Sequence, residues 1–149
     1  MSARRQQGFS LVEAMVALVV LAVGMLGIAG LYVTTLRSGG GAIYRMQAVN
    51  LASDLADRIR VNRGASAAYT GAAADNKCYG TNAVACSPDQ MAANDLFVWL
   101  AQVQDPNVLP GGNGAVLVNG ATAPFTYTIT ITWTEQGGAQ MNYVLTLQI

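Results

Sequence analysis

Histidine is absent from the chain, and only 11% of its 149 residues are charged. The first absence removes the commonest general base, the Ser-His and Cys-His nucleophile pairs, and the commonest zinc ligand. An enzyme is therefore not expected, nor a metal site or a cofactor. Eight basic residues balance eight acidic ones, so the chain lacks the positive field that draws proteins onto nucleic acid. Arg58, Arg60 and Arg63 do cluster, but positive charge also suits the C-terminal end of a helix and its dipole. Direct nucleic-acid binding is not expected. Wholesale disorder is not expected at 52% hydrophobic content, and the length suits one domain plus a terminal segment.

Cysteine is scarce as well. Cys78 and Cys86 are the two cysteines, and they enclose "YGTNAVA" without CxxC spacing or a histidine that would complete a metal site. A small disulfide loop is the expectation if this part of the chain reaches an oxidising compartment; two buried free thiols are the alternative. In the chain-entropy view such a loop contributes roughly 2.5 kcal/mol, less any strain.

The chain is rich instead in apolar sequence near its start. From Ala14 to Val33 no residue is charged, and a helix of that length spans about 30 Å, the depth of a hydrocarbon core. Arg4 and Arg5 precede it without an accompanying acid, so the positive-inside bias keeps the N-terminus cytoplasmic and puts the chain beyond Val33 outside. No small-residue cleavage site flanked by a break comes after the run, so the segment is expected to stay attached. Glu13 stands at its mouth. A carboxylate there either snorkels to headgroups or is paired and functional.

"GFSLVEAMVALVVLAVGMLGIAGL" resembles the N-terminus of type IV pilins and their pseudopilin relatives: a short basic leader ending in Gly8, then Phe9, then Glu13, then an apolar helix. The resemblance implies that a prepilin peptidase cuts between Gly8 and Phe9 and methylates the new amino terminus at Phe9. It also implies that Glu13 pairs with the terminal amine of a neighbouring subunit, as a charge among apolar helices must be paired to be tolerated. Phe9 and Glu13 are four apart, so a contact within one chain satisfies the pair equally well. The implied organisation is a cleaved leader at 1–8, a transmembrane helix over 9–33, the exposed half of that helix over 34–63, and a periplasmic globular domain over 64–149.

Gly24, Gly27 and Gly30 lie inside the apolar run, each costing about 1 kcal/mol against alanine in a helix. Local melting and close helix packing through small residues are equal readings. Gly39, Gly40 and Gly41 are expected to kink or weaken the helix. Beyond them Tyr44, Ala48, Leu51, Leu55 and Ile59 form one apolar stripe, with Asp54 and Arg58 paired four apart on another face. Ser87-Pro88-Asp89-Gln90 reads as a capped helix start, and the helix it opens places Ala92, Leu96, Trp99, Leu100 and Val103 together.

In "FTYTITITWT" the residues Phe125, Tyr127, Ile129, Ile131 and Trp133 alternate with threonines, and after "EQGGAQ" Met141, Tyr143, Leu145, Leu147 and Ile149 alternate again. These are two strands of an antiparallel hairpin; Val116 and Val118 supply a third. Threonine on the outer face is good strand chemistry, with an adhesive surface as the lesser reading. The fold expected is α+β, a long N-terminal helix on a small antiparallel sheet.

Finer features resemble the PilV type of minor pilin: "GMLGIAGL", "LASDLADRIRVN", paired cysteines ahead of "DLFVWL", then "LPGGNG" and "ITWTE". That resemblance implies a subunit that joins other minor pilins to prime type IV pilus assembly, with the major pilin, the prepilin peptidase and the inner-membrane assembly machinery as partners. It places the chain in the inner membrane as a single-pass protein and, after assembly, near the pilus tip. Twitching motility and adhesion are the implied outputs. A type II secretion pseudopilin and a membrane-anchored periplasmic binding module are the alternatives.

Overall fold

The computed structural model describes residues 8–135 and 137–149, with the backbone alone at 37–39. Helix α1 runs Leu11–Val61 and is followed by a 3-10 segment, Arg63–Thr70, and by helix α2, Pro88–Val103. Strands β1 (Asn113–Asn119), β2 (Thr126–Thr134) and β3 (Gln140–Gln148) complete the chain. The architecture is α+β, as the alternating patterns require.

The helix assignment of α1 is unbroken through Gly39, Gly40 and Gly41. The expected weak point does not end the helix, although the division between the two compact units, 1–39 and 40–149, falls there. A glycine costs a helix about 1 kcal/mol in entropy but removes no hydrogen bond, so a helix continued on both sides can carry it. Gly41 also has a packing role. A Cβ there would lie 3.2 Å from the Glu135 carboxylate, so the missing side chain leaves the room that Glu135 occupies.

In the first unit α1 presents apolar side chains outward all round, from Leu11 and Val12 to Leu36. Among the described residues it is the one helix long and apolar enough to cross a membrane. Gly24, Gly27 and Gly30 meet nothing on this surface.

In the second unit the helix buries the predicted stripe and widens it with alanines. Ala48, Ala52, Leu55, Ala56 and Ile59 are fully buried, with Tyr44 and Leu51 partly so. They share one core with Tyr127, Ile129, Ile131 and Trp133 of β2 and with Ala92, Leu96, Trp99 and Val103 of α2. Small residues on the helix and bulky ones on the strand thus share that core. α2 begins as the sequence foretold: the Ser87 hydroxyl accepts from the Gln90 amide at 3.3 Å, while the Gln90 side chain accepts from the Ser87 amide at 2.9 Å. This reciprocal cap satisfies two otherwise orphaned donors.

The sheet order is β1-β2-β3, antiparallel throughout. Ile129 sits opposite Val116 on one side and Leu145 on the other, so the apolar faces of all three strands coincide. The threonines of β2 are half-buried on the other face, because a central strand is flanked on both sides. The β2–β3 connection closes through Glu135 N–H to Ala139 O at 2.9 Å and Gly138 N–H to Glu135 O at 3.0 Å; Gln136 lies outside the described residues. Trp99 packs so closely on β1 that a Cβ at Gly114 would overlap its ring. Its indole N–H donates to the Leu51 carbonyl at 3.0 Å, tying α2 to α1.

Candidate functional site

Gly8, Phe9 and Ser10 lead into α1 without regular secondary structure, and Ala14 N–H donates to Ser10 O at 3.2 Å where the helix begins. Phe9 is 79% exposed, and among the described residues nothing lies near a Cβ built at Gly8, so none of them crowds the peptide bond between the two. Glu13 lies in the first helical turn, where a carboxylate suits the positive end of the helix dipole. Val12, Met15, Val16, Val19 and Val20 line a shallow apolar groove of about 300 Å³ beside it. Arg4 and Arg5, placed in a leader by the sequence expectation, lie outside the described residues.

The second constellation is built around Asp95, on the same face of α2 as Ala92 and Trp99 and 1% exposed. Its carboxylate takes Arg58 Nη1 at 3.2 Å, the Tyr69 hydroxyl at 2.8 Å and the Tyr79 hydroxyl at a closer approach. Arg58 also meets Asp54 at 2.9 Å, the predicted i,i+4 pair, and lies over the Tyr79 ring. The Asn62 side-chain amide bridges the Tyr69 hydroxyl at 3.3 Å and the Pro88 carbonyl at 2.8 Å. One buried carboxylate therefore gathers α1, the 3-10 segment, the cysteine loop and α2. Burial first, and then the bond to Asp95, pushes the Tyr79 phenol up to about 12 and the Tyr69 phenol higher still. The same neighbours raise the Arg58 guanidinium against its own desolvation, so it stays charged.

Cys78 and Cys86 are joined in a disulfide, with Cα atoms 5.8 Å apart. The loop they close is anchored from α2: the Asn94 side-chain oxygen accepts the Asn76 amide at 2.9 Å and the Cys78 amide at 3.4 Å. Tyr79, next to Cys78, is thereby delivered to Asp95. A hollow of about 370 Å³ opens beside this network, lined by Asp54, Val61, Tyr79 and Met91 among others.

Sequence reasoning found the helix stripe, the Asp54–Arg58 pair and the cysteines, but not Asp95, Asn94, Tyr69 or Tyr79. The available signal was Asp95 itself, a charge set three residues after Ala92 and four before Trp99 on an apolar face. Such a residue requires partners, though not any particular ones.

A membrane-compatible helix with an open Gly-Phe junction and an acid in its first turn, continued into a helix-on-sheet unit, defines a pilin-like class of protein. Comparison with known families agrees. Residues 3–29 match the prokaryotic N-terminal methylation motif, and residues 30–97 match the Tt1218-like family, described as type IV pilin Tt1218. These two adjoining matches make residues 3–97 of the chain similar to type IV pilins. No curated protein and no solved structure gave a significant match. The prepilin motif implies processing by prepilin peptidase and assembly with pilus components, and with the apolar helix it suggests membrane anchoring.

Proposed function

We propose that the chain is a minor pilin of the PilV type, which joins other minor pilins at the inner membrane and primes type IV pilus assembly. The observation that carries this reading is the junction of Gly8 and Phe9 at the foot of an apolar helix, with Glu13 in the first turn. Cleavage between Gly8 and Phe9 creates an ammonium that did not exist in the precursor, and methylation at Phe9 keeps its charge. Glu13 is then the acid that receives it, from a neighbouring subunit or from the same chain. An ion pair among apolar helices is tolerated only when both partners are present, so pairing selects one register. Residues 1–8 are the leader, 9–33 the span, 34–63 the emerging helix and 64–149 the periplasmic domain. The single-pass chain resides in the inner membrane and moves to the pilus tip on assembly. Without the leader, six basic side chains face eight acidic ones (eight less Arg4 and Arg5), so the mature chain has no general attraction for nucleic acid.

The deciding experiment combines mass spectrometry with recruitment. Protein extracted from peptidase-competent membranes should begin at a methylated Phe9, and Glu13→Ala should be cleaved normally yet fail to enter the minor-pilin complex. A chain still beginning at Met1 refutes the processing. Unchanged recruitment of Glu13→Ala refutes the pairing and favours a solitary membrane-anchored module. Gene deletion that spares pili and twitching but abolishes exoprotein secretion identifies a type II secretion pseudopilin instead.

A further inference from the structure

The three-stranded sheet has two edges, and they differ. Among the described residues, β1 packs against the 3-10 segment and α2 as well as against β2, and β3 packs against β2. Phe125 and Ile149 exchange both main-chain bonds, at 2.7 and 3.0 Å, and the register runs on from them. Alternation along an antiparallel ladder then turns the odd-numbered residues of β3 toward β2 and the even-numbered amides outward. Gln140, Asn142, Val144, Thr146 and Gln148 therefore direct their N–H and C=O groups to the open side. Among the described residues those groups have no main-chain partner.

Natural sheets blunt such an edge with lysine, proline, a bulge or a covering segment. β3, "QMNYVLTLQ", has no charge and no proline, and it pairs with β2 along its whole length without a bulge. Its sequence is also nearly symmetric about its middle residue. Reading outward from Val144, Tyr143 answers Leu145, Asn142 answers Thr146, Met141 answers Leu147 and Gln140 answers Gln148.

We infer that β3 is a self-pairing edge, on which a second copy of this chain adds its own β3 antiparallel about a two-fold axis at Val144. All nine residues then pair, and the outward amides of one copy meet those of the other. Val144 faces Val144, Asn142 faces Thr146, and the half-buried Met141, Tyr143 and Leu145, with the buried Leu147, continue the core-facing side across the seam. A neutral strand meets its own image without like-charge repulsion, which would penalise a charged edge. Sliding by two residues keeps the hydrogen bonds but strands an end, and sliding by one turns apolar side chains outward. The symmetric register is thus favoured. This inference stands apart from the minor-pilin reading, because either can fail alone.

The test is site-directed cross-linking of the full-length chain in detergent. With Cys78 and Cys86 joined, no native thiol is free, so an introduced cysteine is the sole reactive one. Val144→Cys should give dimers with a short bis-maleimide, while Leu117→Cys on the outer face of β1 should not. A mixture of Asn142→Cys chains with Thr146→Cys chains should cross-link more than either alone. Adding Val144→Lys to both should cut that yield at least about tenfold, with the near-ultraviolet circular dichroism unchanged because Val144 is an exposed side chain. Equal cross-linking at Leu117→Cys, or a yield indifferent to Val144→Lys in a folded chain, would overturn the inference.

Discussion

The Arg45 guanidinium reaches the Glu135 carboxylate at 3.0 Å across ninety residues of chain, over the place where Gly41 has no side chain. Arg45 is well solvated, so the ion pair itself is worth at most about 1 kcal/mol. The space matters as much. Gly41→Ala gains about 1 kcal/mol of helix propensity but presses on the carboxylate, so its net effect alone should be near zero. In a Glu135→Ala background the same change should stabilise by about 1 kcal/mol. Thermal unfolding of the four chains in a double-mutant cycle checks this, and strict additivity would show that Glu135 does not use the space.

At Gly114, unlike Gly41, a side chain is forbidden outright by a neighbour. A methyl group there overlaps the Trp99 ring, which is fully buried and held by its bond to Leu51. Gly114→Ala should therefore destabilise by about 1–3 kcal/mol, the usual effect of overpacking. Chemical denaturation monitored by tryptophan fluorescence measures it, and a neutral result would mean that the β1–α2 contact is looser than described.

These two glycines mark the boundary of what sequence can reveal. The stripe from Tyr44 to Ile59 and the alternation in β2 and β3 were legible because each depends on local periodicity. The start of α2 was legible because Ser87, Pro88 and Gln90 act within one turn. Gly41 is explained by Glu135 and Gly114 by Trp99, contacts that no local pattern encodes, so from sequence Gly41 reads as part of a kink or weak point. The 3-10 segment has neither period, and its Tyr69 gains meaning only beside Asp95. In the N-terminal motif Gly8, Phe9 and Glu13 were legible as a pattern, since their chemistry depends on spacing.

Alkaline pH should loosen the Asp95 network. A free tyrosine titrates near 10, whereas the folded Tyr79 phenol is raised to about 12, chiefly by burial and then by Asp95, with Tyr69 raised further. The folded chain thus holds protons that the unfolded chain has released. The stability linked to these phenols is complete below about pH 10 and declines as pH rises from there through the folded values. Tyr69→Phe with Tyr79→Phe should flatten that decline. Denaturant midpoints between about pH 9 and 11.5 are the measurement, and an equally steep decline in the double variant would count against the network.

The disulfide should affect one tyrosine more than the others. Cys78→Ser with Cys86→Ser should cost roughly 2.5 kcal/mol through loop entropy. It should also release Tyr79, so that its ultraviolet titration moves back toward about 10. A stability loss without that shift would mean that Asn94 alone holds the loop in place.

The seam of core residues that α1 and β2 contribute divides labour unequally. The helix supplies smoothness at Ala48, Ala52 and Ala56, and the strand supplies bulk at Tyr127, Ile129, Ile131 and Trp133. Natural variation at this seam should consequently be one-sided. The strand can exchange one large residue for another by repacking, whereas any enlargement on the helix lifts the whole sheet away from it. The three alanines are in effect a spacing gauge, setting how far the sheet stands from the helix axis.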